Sequence, residues 1–155
     1  MFRIPANCAH TTQHSDPKLA QRIGPPPTAG LGMPNGGLQV VNPSRALYDR
    51  IMQALQESSN VAHYEFADQS LLADVFEGRW VGLSYTYNAL KFMRWPEIHR
   101  SIWRDEEVRN IHYLLSPKPW DETPGEESDN THKLWWKANK ERLAAEKGTG
   151  IDDGF

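Results

Sequence analysis

Proline and glycine are concentrated in the first 34 residues of this 155-residue chain. Proline fixes φ and lacks an N–H donor, and glycine weakens helices and strands, so long regular elements are disfavoured there. Stretches of this length without regular structure are uncommon inside a compact domain. We therefore expect residues 1–34 to be an irregular, cut edge of a larger domain. The residues concerned are Pro5, Pro17, Gly24, Pro25, Pro26, Pro27, Gly30, Gly32 and Pro34.

The composition argues against several classes of protein. The formal net charge is −3, which does not favour binding to nucleic acid or to an acidic membrane surface. Cys8 is the only cysteine, so an internal disulfide is impossible and a reducing compartment is favoured. No run approaches the ~18 apolar residues of a membrane span, and no signal peptide is recognisable. We expect a cytoplasmic domain with no nucleic-acid partner and no membrane segment.

Apolar residues recur at helical spacing in three segments. The first follows Asn42-Pro43-Ser44 and carries Leu47, Ile51 and Leu55. The others cover about 68–76 and 131–147, and a short helical piece should begin at Pro96. Short strands are predicted at 38–41, 80–83 (continuing into 85–88) and 108–114.

Because these strands are separated by helices, the predicted class is α/β, with too few strands for a complete doubly wound sheet. Residues 121–130 hold five acidic residues and no basic one, which is typical of a solvated loop. The predicted regions are therefore 1–34, 35–120, the acidic loop 121–130, and a terminal helix with its tail at 131–155.

The segment from Ile111 to Trp120 carries the most informative polar residues. His112 ends an apolar run, and Lys118 lies between Pro117 and Pro119 on a stiffened loop. A neutral imidazole is a metal ligand and a lysine is a compact charge for a phosphate, so the pair suits a metal–diphosphate group. The alternative is a histidine that simply ends a strand and a solvated lysine.

Three further groups have both a structural and a binding interpretation. Asn35-Gly36-Gly37 is either an ordinary turn or a place where a polyol approaches the backbone beside an amide. Asp68-Gln69 either caps a helix or binds adjacent sugar hydroxyls. Tyr87-Asn88 fits a strand end with a capping asparagine. Trp120 is expected to fill a notch in the core rather than to stack on a ligand.

In this order and spacing, these groups resemble the C-terminal half of the retaining glycosyltransferases related to glycogenin and galactinol synthase (family 8), with the fungal-type members most similar. The resemblance covers about residues 32–120. Its marks are Asn35-Gly36-Gly37, Asn42-Pro43-Ser44, Asp68-Gln69 before Leu71-Leu72, Tyr87-Asn88, and His112 followed by Lys118-Pro119-Trp120.

The resemblance implies the C-terminal portion of a GT-A nucleotide-diphospho-sugar transferase fold, a Rossmann-like sheet flanked by helices. It also implies a UDP-sugar donor, a manganese ion, and transfer of a hexose with retention to a glycan, polyol or protein acceptor. His112 would be a metal ligand, Lys118 would hold the diphosphate, and Asp68 would lie where the reaction occurs. The implied substrate-binding residues are Asn35, Gly36, Gly37, Asp68, Gln69, Tyr87, Asn88 and Lys118.

The chain departs from the family pattern in two places. The family holds its metal mainly with an Asp-x-Asp pair in the N-terminal, nucleotide-binding half, and no Asp-x-Asp occurs here. One imidazole is far short of the roughly six ligands that a hard divalent ion prefers. Leu115 also replaces the glycine usual between the histidine and the lysine. We therefore expect that half to be missing, the manganese site to be incomplete and the chain alone to be inactive.

Two rival functions remain open. One is a non-catalytic, truncated product that lacks the Asp-x-Asp metal motif. The other is a carbohydrate-binding module, because clustered tryptophans such as Trp135-Trp136 can stack on sugar rings, although on a helix they more commonly pack against a sheet.

Overall fold

A computed structural model describes residues 8–57, 59 and 61–150 of the chain. The chain forms two compact units, Met1–His112 and Tyr113–Phe155. Four α-helices are described: α1 (Pro17–Ala20), α2 (Arg45–Glu57), α3 (Ala67–Val75) and α4 (His132–Lys147). Two short strands are β1 (Ala89–Leu90) and β2 (Ile111–His112). The 3-10 helices are Ala9–Gln13, Val61–His63, Tyr85–Tyr87, Lys91–Arg94, Asp105–Glu107 and Pro119–Asp121.

The three predicted long helices are confirmed as α2, α3 and α4. Helix α3 buries one face through Ser70, Leu71 and Val75, whereas α2 buries no residue completely. Apolar residues spaced three or four positions apart lie on the same side of a helix. The positions of these helices therefore follow from the local sequence. The tail predicted at 151–155 lies outside the described residues.

Two of the three predicted strands did not form, and the third is shorter than predicted. Residues 38–41 and 80–83 are irregular, and 85–87 form a 3-10 helix instead of a strand. The strand predicted at 108–114 is reduced to Ile111–His112. In the described residues Val40 and Val81 are 81% and 85% exposed, so their strand-forming side chains pack on no neighbouring element. Strand propensity depends on such packing, which a single stretch of sequence does not specify.

The described sheet consists of β1 and β2, which run parallel with Ala89 opposite Ile111 and Leu90 opposite His112. The Ala89 N–H donates to the Asn110 carbonyl at 2.9 Å. Helical segments precede and follow these strands along the chain. The structure therefore combines helices and strands, as the predicted α/β class does. The sheet carries His112 and begins directly after Asn88, two of the predicted site residues.

The core of the first unit lies beside β1. Ring and aliphatic side chains pack there, and Tyr85 donates its hydroxyl proton to the Ile102 carbonyl at 3.0 Å. The Tyr85 and Trp103 rings lie 5.7 Å apart. The buried members of the cluster are Ala20, Tyr85, Ala89, Met93, Ile102 and Trp103.

The proline-rich start of the chain takes part in that core. The segment holds the 3-10 helix Ala9–Gln13 and α1, in which Asp16 accepts from the Leu19 N–H at 3.0 Å. Ala20 is fully buried, and its carbonyl accepts from the Ser84 hydroxyl at 2.8 Å. The region predicted to be an irregular edge is thus partly helical and is integrated with the first unit.

The second unit is organised around the start of α4. Thr131 and His132 are buried, and His132 Nδ1 lies 2.6 Å from Glu122 Oε2. The contact between Glu122 and His132 therefore connects the predicted acidic loop to α4. Burial raises the pKa of Tyr113 to about 12, so its phenol stays protonated and donates to the Thr131 carbonyl at 3.0 Å.

Candidate functional site

The turn at Asn35-Gly36-Gly37 is the centre of a polar cluster in the first unit. The Asn35 side-chain oxygen accepts from the Gly37 N–H at 2.9 Å and from the Asn88 amide nitrogen at 2.8 Å. The Gly36 N–H donates to Gln69 Oε1 at 2.6 Å. Three of the predicted groups, 35–37, 68–69 and 88, are therefore joined by direct hydrogen bonds.

The two glycines in this turn allow a close approach of neighbouring side chains. A Cβ on Gly37 would lie 2.5 Å from His112 Nδ1, so the imidazole packs directly against the bare backbone. A Cβ on Gly36 would lie 3.0 Å from Gln69 Cγ and 3.3 Å from Asp68 Oδ2. Any side chain at position 37 would displace the imidazole, and one at position 36 would press on α3.

Helix α3 delivers Asp68 and Gln69 to the cluster from its first turn. It begins at Ala67, whose φ of 43° is left-handed, and the Gln69 N–H donates to the Phe66 carbonyl at 2.9 Å. Ser70 and Leu71, the next residues, are buried and anchor the helix. This anchoring leaves Asp68 exposed at the surface next to Gly36.

Asn88 and Tyr87 follow the short 3-10 helix Tyr85–Tyr87. That helix begins at Ser84, whose hydroxyl accepts from the Thr86 N–H at 3.3 Å. Asn88 lies directly before β1 and reaches Asn35, whereas the Tyr87 ring is half exposed. The structure thus brings Asn88 into the cluster and leaves Tyr87 at the surface of the same unit.

The cluster offers a carboxylate, amides and an imidazole on one surface. Carboxylate and amide groups together provide acceptors and donors for adjacent hydroxyls, which is the chemistry needed to bind a sugar. The bond between Asn35 and Asn88 was not predicted, because the two residues are 53 positions apart in the chain. The spacing of apolar residues contains no signal that would have revealed it.

Lys118 belongs to the second unit, where its position is set by local contacts. The ammonium group donates to the Tyr113 carbonyl, and the Lys118 N–H donates to Asp121 Oδ2 at 2.9 Å. The preceding residues 113–118 lie outside helices and strands, as predicted for a proline-containing loop, and the Ser116–Pro117 peptide is cis. Tyr113 was not singled out from the sequence, although its carbonyl holds the lysine.

Leu115, which stands where the family usually has glycine, adopts a φ of 66°. This left-handed conformation is available to glycine without penalty and is strained for leucine. The departure from the family pattern therefore falls at a backbone position that suits glycine.

The residues of the chain supply only part of a metal site. In the described residues, no three His, Cys, Asp or Glu side chains converge as ligands for a metal ion. Asp105, the carboxylate with the nearest spacing to Asp-x-Asp, is already held by Arg94 at 2.8 Å and by the Trp103 indole N–H at 2.7 Å. The hydrogen bond from Arg94 lowers the pKa of Asp105 to about 2. Asp105 is therefore committed to these two partners and is not a ligand for manganese, so no chemical step is assigned to the metal.

A second cluster of titratable groups lies in the first unit, away from the turn. His99 is buried, with Nε2 3.1 Å from Cys8 Sγ and Nδ1 2.8 Å from His14 Nε2. Burial, together with repulsion from His10 and His14, lowers the pKa of His99 to about 4. Burial also raises the pKa of the Cys8 thiol. The cluster therefore joins the start of the chain to the 96–103 segment through the side chain of His99.

Comparison with known proteins identifies the class. Residues 8–124 match the glycosyl transferase family 8 model, which is well over half of the chain, and the chain belongs to that family. Membership implies a GT-A-like fold and a role in glycosyl transfer. Within the part of the chain that the structure describes, no helix is both long and apolar enough to cross a membrane.

One curated relative is glycosyltransferase GlyA of Streptococcus pneumoniae serotype 4 (strain ATCC BAA-334 / TIGR4), 27% identical over 104 residues. That match covers 66% of this chain and 14% of the relative, so the chain spans a small part of that protein. No solved structure matches the chain significantly.

Proposed function

We propose that this chain contributes the sugar-binding part of a hexosyltransferase that moves a hexose from a UDP-sugar to an acceptor hydroxyl with retention. Within the family, we place it with the glycogenin and galactinol synthase group, near the fungal-type members, as the C-terminal half of a cytoplasmic GT-A domain. The observation that supports this most directly is the convergence of Asn35, Gly36, Gln69 and Asn88, which lie in three separate segments of the chain.

In this proposal the cluster binds and orients the donor sugar. Asn88 bonds to Asn35, and Gln69 bonds to the Gly36 N–H, so these amide groups are prearranged for hydroxyls at little entropic cost. Gly36 and Gly37 let the Gln69 and His112 side chains lie against the backbone of the turn, and Tyr87 would lie at the edge of the sugar site. Asp68, exposed beside Gly36, would stabilise positive charge as the bond to the departing diphosphate breaks.

Lys118 would neutralise negative charge on the diphosphate. A lysine is a compact charge suited to this role, and its loop position is set by Tyr113 and Asp121. His112 would donate one nitrogen to a manganese ion in the complete enzyme. The other metal ligands would have to come from residues outside the described part of this chain.

Release of UDP from a UDP-hexose by the full-length protein tests the proposal. We expect His112→Ala and Lys118→Ala each to reduce the rate by at least about 100-fold, because each removes charge stabilisation at the leaving group. Lys137→Ala, which removes an exposed lysine on α4, is the matched control and should retain the full rate. Full activity of both site variants would contradict the assigned roles.

A non-catalytic product remains the second candidate, because a three-ligand metal group is absent among the described residues. Titration calorimetry of the 155-residue chain with UDP, with and without manganese, distinguishes the transferase from the non-catalytic product for this chain. The genomic sequence upstream provides a second test. An in-frame segment that encodes an apolar strand followed by Asp-x-Asp would support the transferase, and a verified absence would support the non-catalytic product.

A further inference from the structure

Trp120 does not fill a core notch, as the sequence suggested. It is 53% exposed, although tryptophan is one of the most strongly buried residue types on average. It lies two residues after Lys118, on the 3-10 helix Pro119–Asp121. A single exposed aromatic ring is common at protein surfaces, so the surroundings of Trp120 decide whether it can bind a ligand.

The neighbours of Trp120 hold its ring at a defined angle. The Tyr113 ring lies 6.4 Å away in an edge-to-face arrangement, and the Trp135 ring lies 5.8 Å away and tilted by 56°. Trp135 is itself supported by Trp136, at 4.8 Å and nearly perpendicular. Contacts of this kind are specific to aromatic rings and fix their relative orientation.

The backbone under Trp120 is equally constrained. Pro119 is buried, and the Asp121 side chain accepts from the Lys118 N–H at 2.9 Å while the Asp121 N–H donates to the Lys118 carbonyl at 3.0 Å. A ligand that stacks on Trp120 therefore meets a surface that is already ordered, which reduces the entropic cost of binding.

The chemistry of the ring and its surroundings favours a sugar. One face of a hexopyranose carries axial C–H groups, and the face of an indole is electron-rich and apolar, so the two attract each other. Asp121 follows Trp120 directly and is exposed, so its carboxylate can accept a hydrogen bond from an equatorial hydroxyl.

We propose that Trp120 is a stacking platform for a hexopyranose ring of a saccharide acceptor. The proposal rests on the proposed function, since it names the acceptor class of that transferase as a glycan. Trp120 lies on the same short loop as Lys118, the residue assigned to the donor diphosphate. Trp135 and Tyr113 are positioning residues for this platform, because their rings contact Trp120 and set its angle.

Titration of the 155-residue chain with maltotriose and with cellotriose, two neutral trisaccharides of glucose, tests the platform. The ¹⁵N-labelled indole N–H signal of Trp120 should shift with saturation. Trp120→Ala should weaken binding by about tenfold or more, and Trp120→Phe should stay within about threefold of the natural protein. Tyr48→Ala is the matched control, because Tyr48 is also 53% exposed but lies on α2 in the first unit.

Two results would overturn the platform: no shift with either saccharide, or equal affinity in Trp120→Ala. A shift of the Trp120 signal by uridine but by neither saccharide would also overturn it and would assign the ring to the nucleotide base. Trp120→Leu, which keeps an apolar side chain, distinguishes loss of stacking from loss of folding. UDP binding measured on the same sample tests Lys118 separately, so saccharide binding without UDP binding would reject the donor site alone.

Discussion

The polar cluster of the first unit and the Lys118 loop of the second unit are built in opposite ways. In the first unit, Gly36 bonds to Gln69 33 residues away and Asn35 bonds to Asn88 53 residues away. In the second unit, Lys118 bonds to Asp121 and Tyr113, three and five residues away. One site is assembled by the tertiary fold, and the other is assembled mainly by its own loop.

This difference determines how each site should respond to change. A long-range cluster loses its geometry when any of its segments moves, because each side chain is held by a partner from elsewhere. A local loop depends on its own backbone conformation and tolerates distant changes. We therefore expect substitutions to be more damaging at the cluster than at the loop, as the following predictions state.

The largest effect is expected for Gly37→Ala. The added Cβ would lie 2.5 Å from His112 Nδ1 and 2.9 Å from Asn35 Oδ1, so the ring and the turn must separate. We expect a loss of about 1–3 kcal/mol in the free energy of unfolding of the first unit, the usual cost of overpacking. Urea titration followed by amide signals of each unit measures it.

Gly148→Ala is the matched control for that experiment. Its Cβ would come no closer than 3.7 Å to the Ala145 carbonyl, at the end of α4 in the second unit. The change in stability should stay within about 0.5 kcal/mol. Equal stability of Gly37→Ala and the natural protein would show that His112 does not pack against the turn.

A smaller difference is expected between Asn35→Ala and Asp121→Ala. Asn35→Ala removes an acceptor of two hydrogen bonds and should lower the free energy of unfolding by about 2 kcal/mol. Asp121→Ala removes one hydrogen bond in an exposed loop and should lower it by about 0.5–1 kcal/mol. Hydrogen exchange at the Gly37 and Lys118 amides reports each site. Faster exchange in the opposite unit would contradict the separation of the two sites.

Acid should destabilise the first unit at a higher pH than the second. The pKa of His99 falls from an ordinary 6.5 to about 4, so the unfolded chain takes up a proton that the folded one resists, and stability is lost as pH falls from 6.5 towards 4. The pKa of Glu122 is lowered by its hydrogen bonds to Ser128 and His132, so its contribution is lost only below about 4.5.

The two units can be followed separately by their amide signals during an acid titration. His99→Gln should flatten the pH dependence of the first unit between 6.5 and 4 and leave that of the second unit unchanged. Loss of both units at one pH in the natural protein and in the variant alike would disprove this order.

The smallest effect is a gain in stability for Leu115→Gly. Glycine removes the cost of the left-handed φ of 66°, about 1–2 kcal/mol, but adds about 0.4–1 kcal/mol of chain entropy to the unfolded state. We expect a net gain of about 0.5–1 kcal/mol by thermal unfolding of the second unit. Leu38→Gly, at an irregular position without a positive φ, should give no gain, and an equal gain there would refute the strain at Leu115.

Local sequence was sufficient for the helices and insufficient for the strands. Helices α2, α3 and α4 follow from the spacing of Leu47, Ile51 and Leu71 and from the good helix formers after Thr131, because helix contacts are short-range. The strands at 38–41 and 80–83 were predicted from composition and did not form, since a strand requires a partner that composition does not name.

The candidate site residues were nominated through a resemblance in spacing, whereas the contacts among them were not predicted. The sequence placed Asn35, Asp68-Gln69, Asn88, His112 and Lys118 in order, and the family match covers all of them. Trp120 was assigned to the core and is half exposed, because the exposure of an aromatic ring depends on which surfaces the chain brings beside it.

By itself the sequence identified the glycosyltransferase family, from marks that lie between Asn35 and Trp120. It also determined the three long helices and the proline-containing loop around Lys118, both of which depend on residue types at short separations. The tertiary structure alone decided that Asn35 meets Asn88, that His112 packs on Gly37 and that Trp120 remains at the surface. The physical reason is the range of the interactions. Backbone propensity acts over a few residues, whereas these contacts require dozens of residues of chain to close.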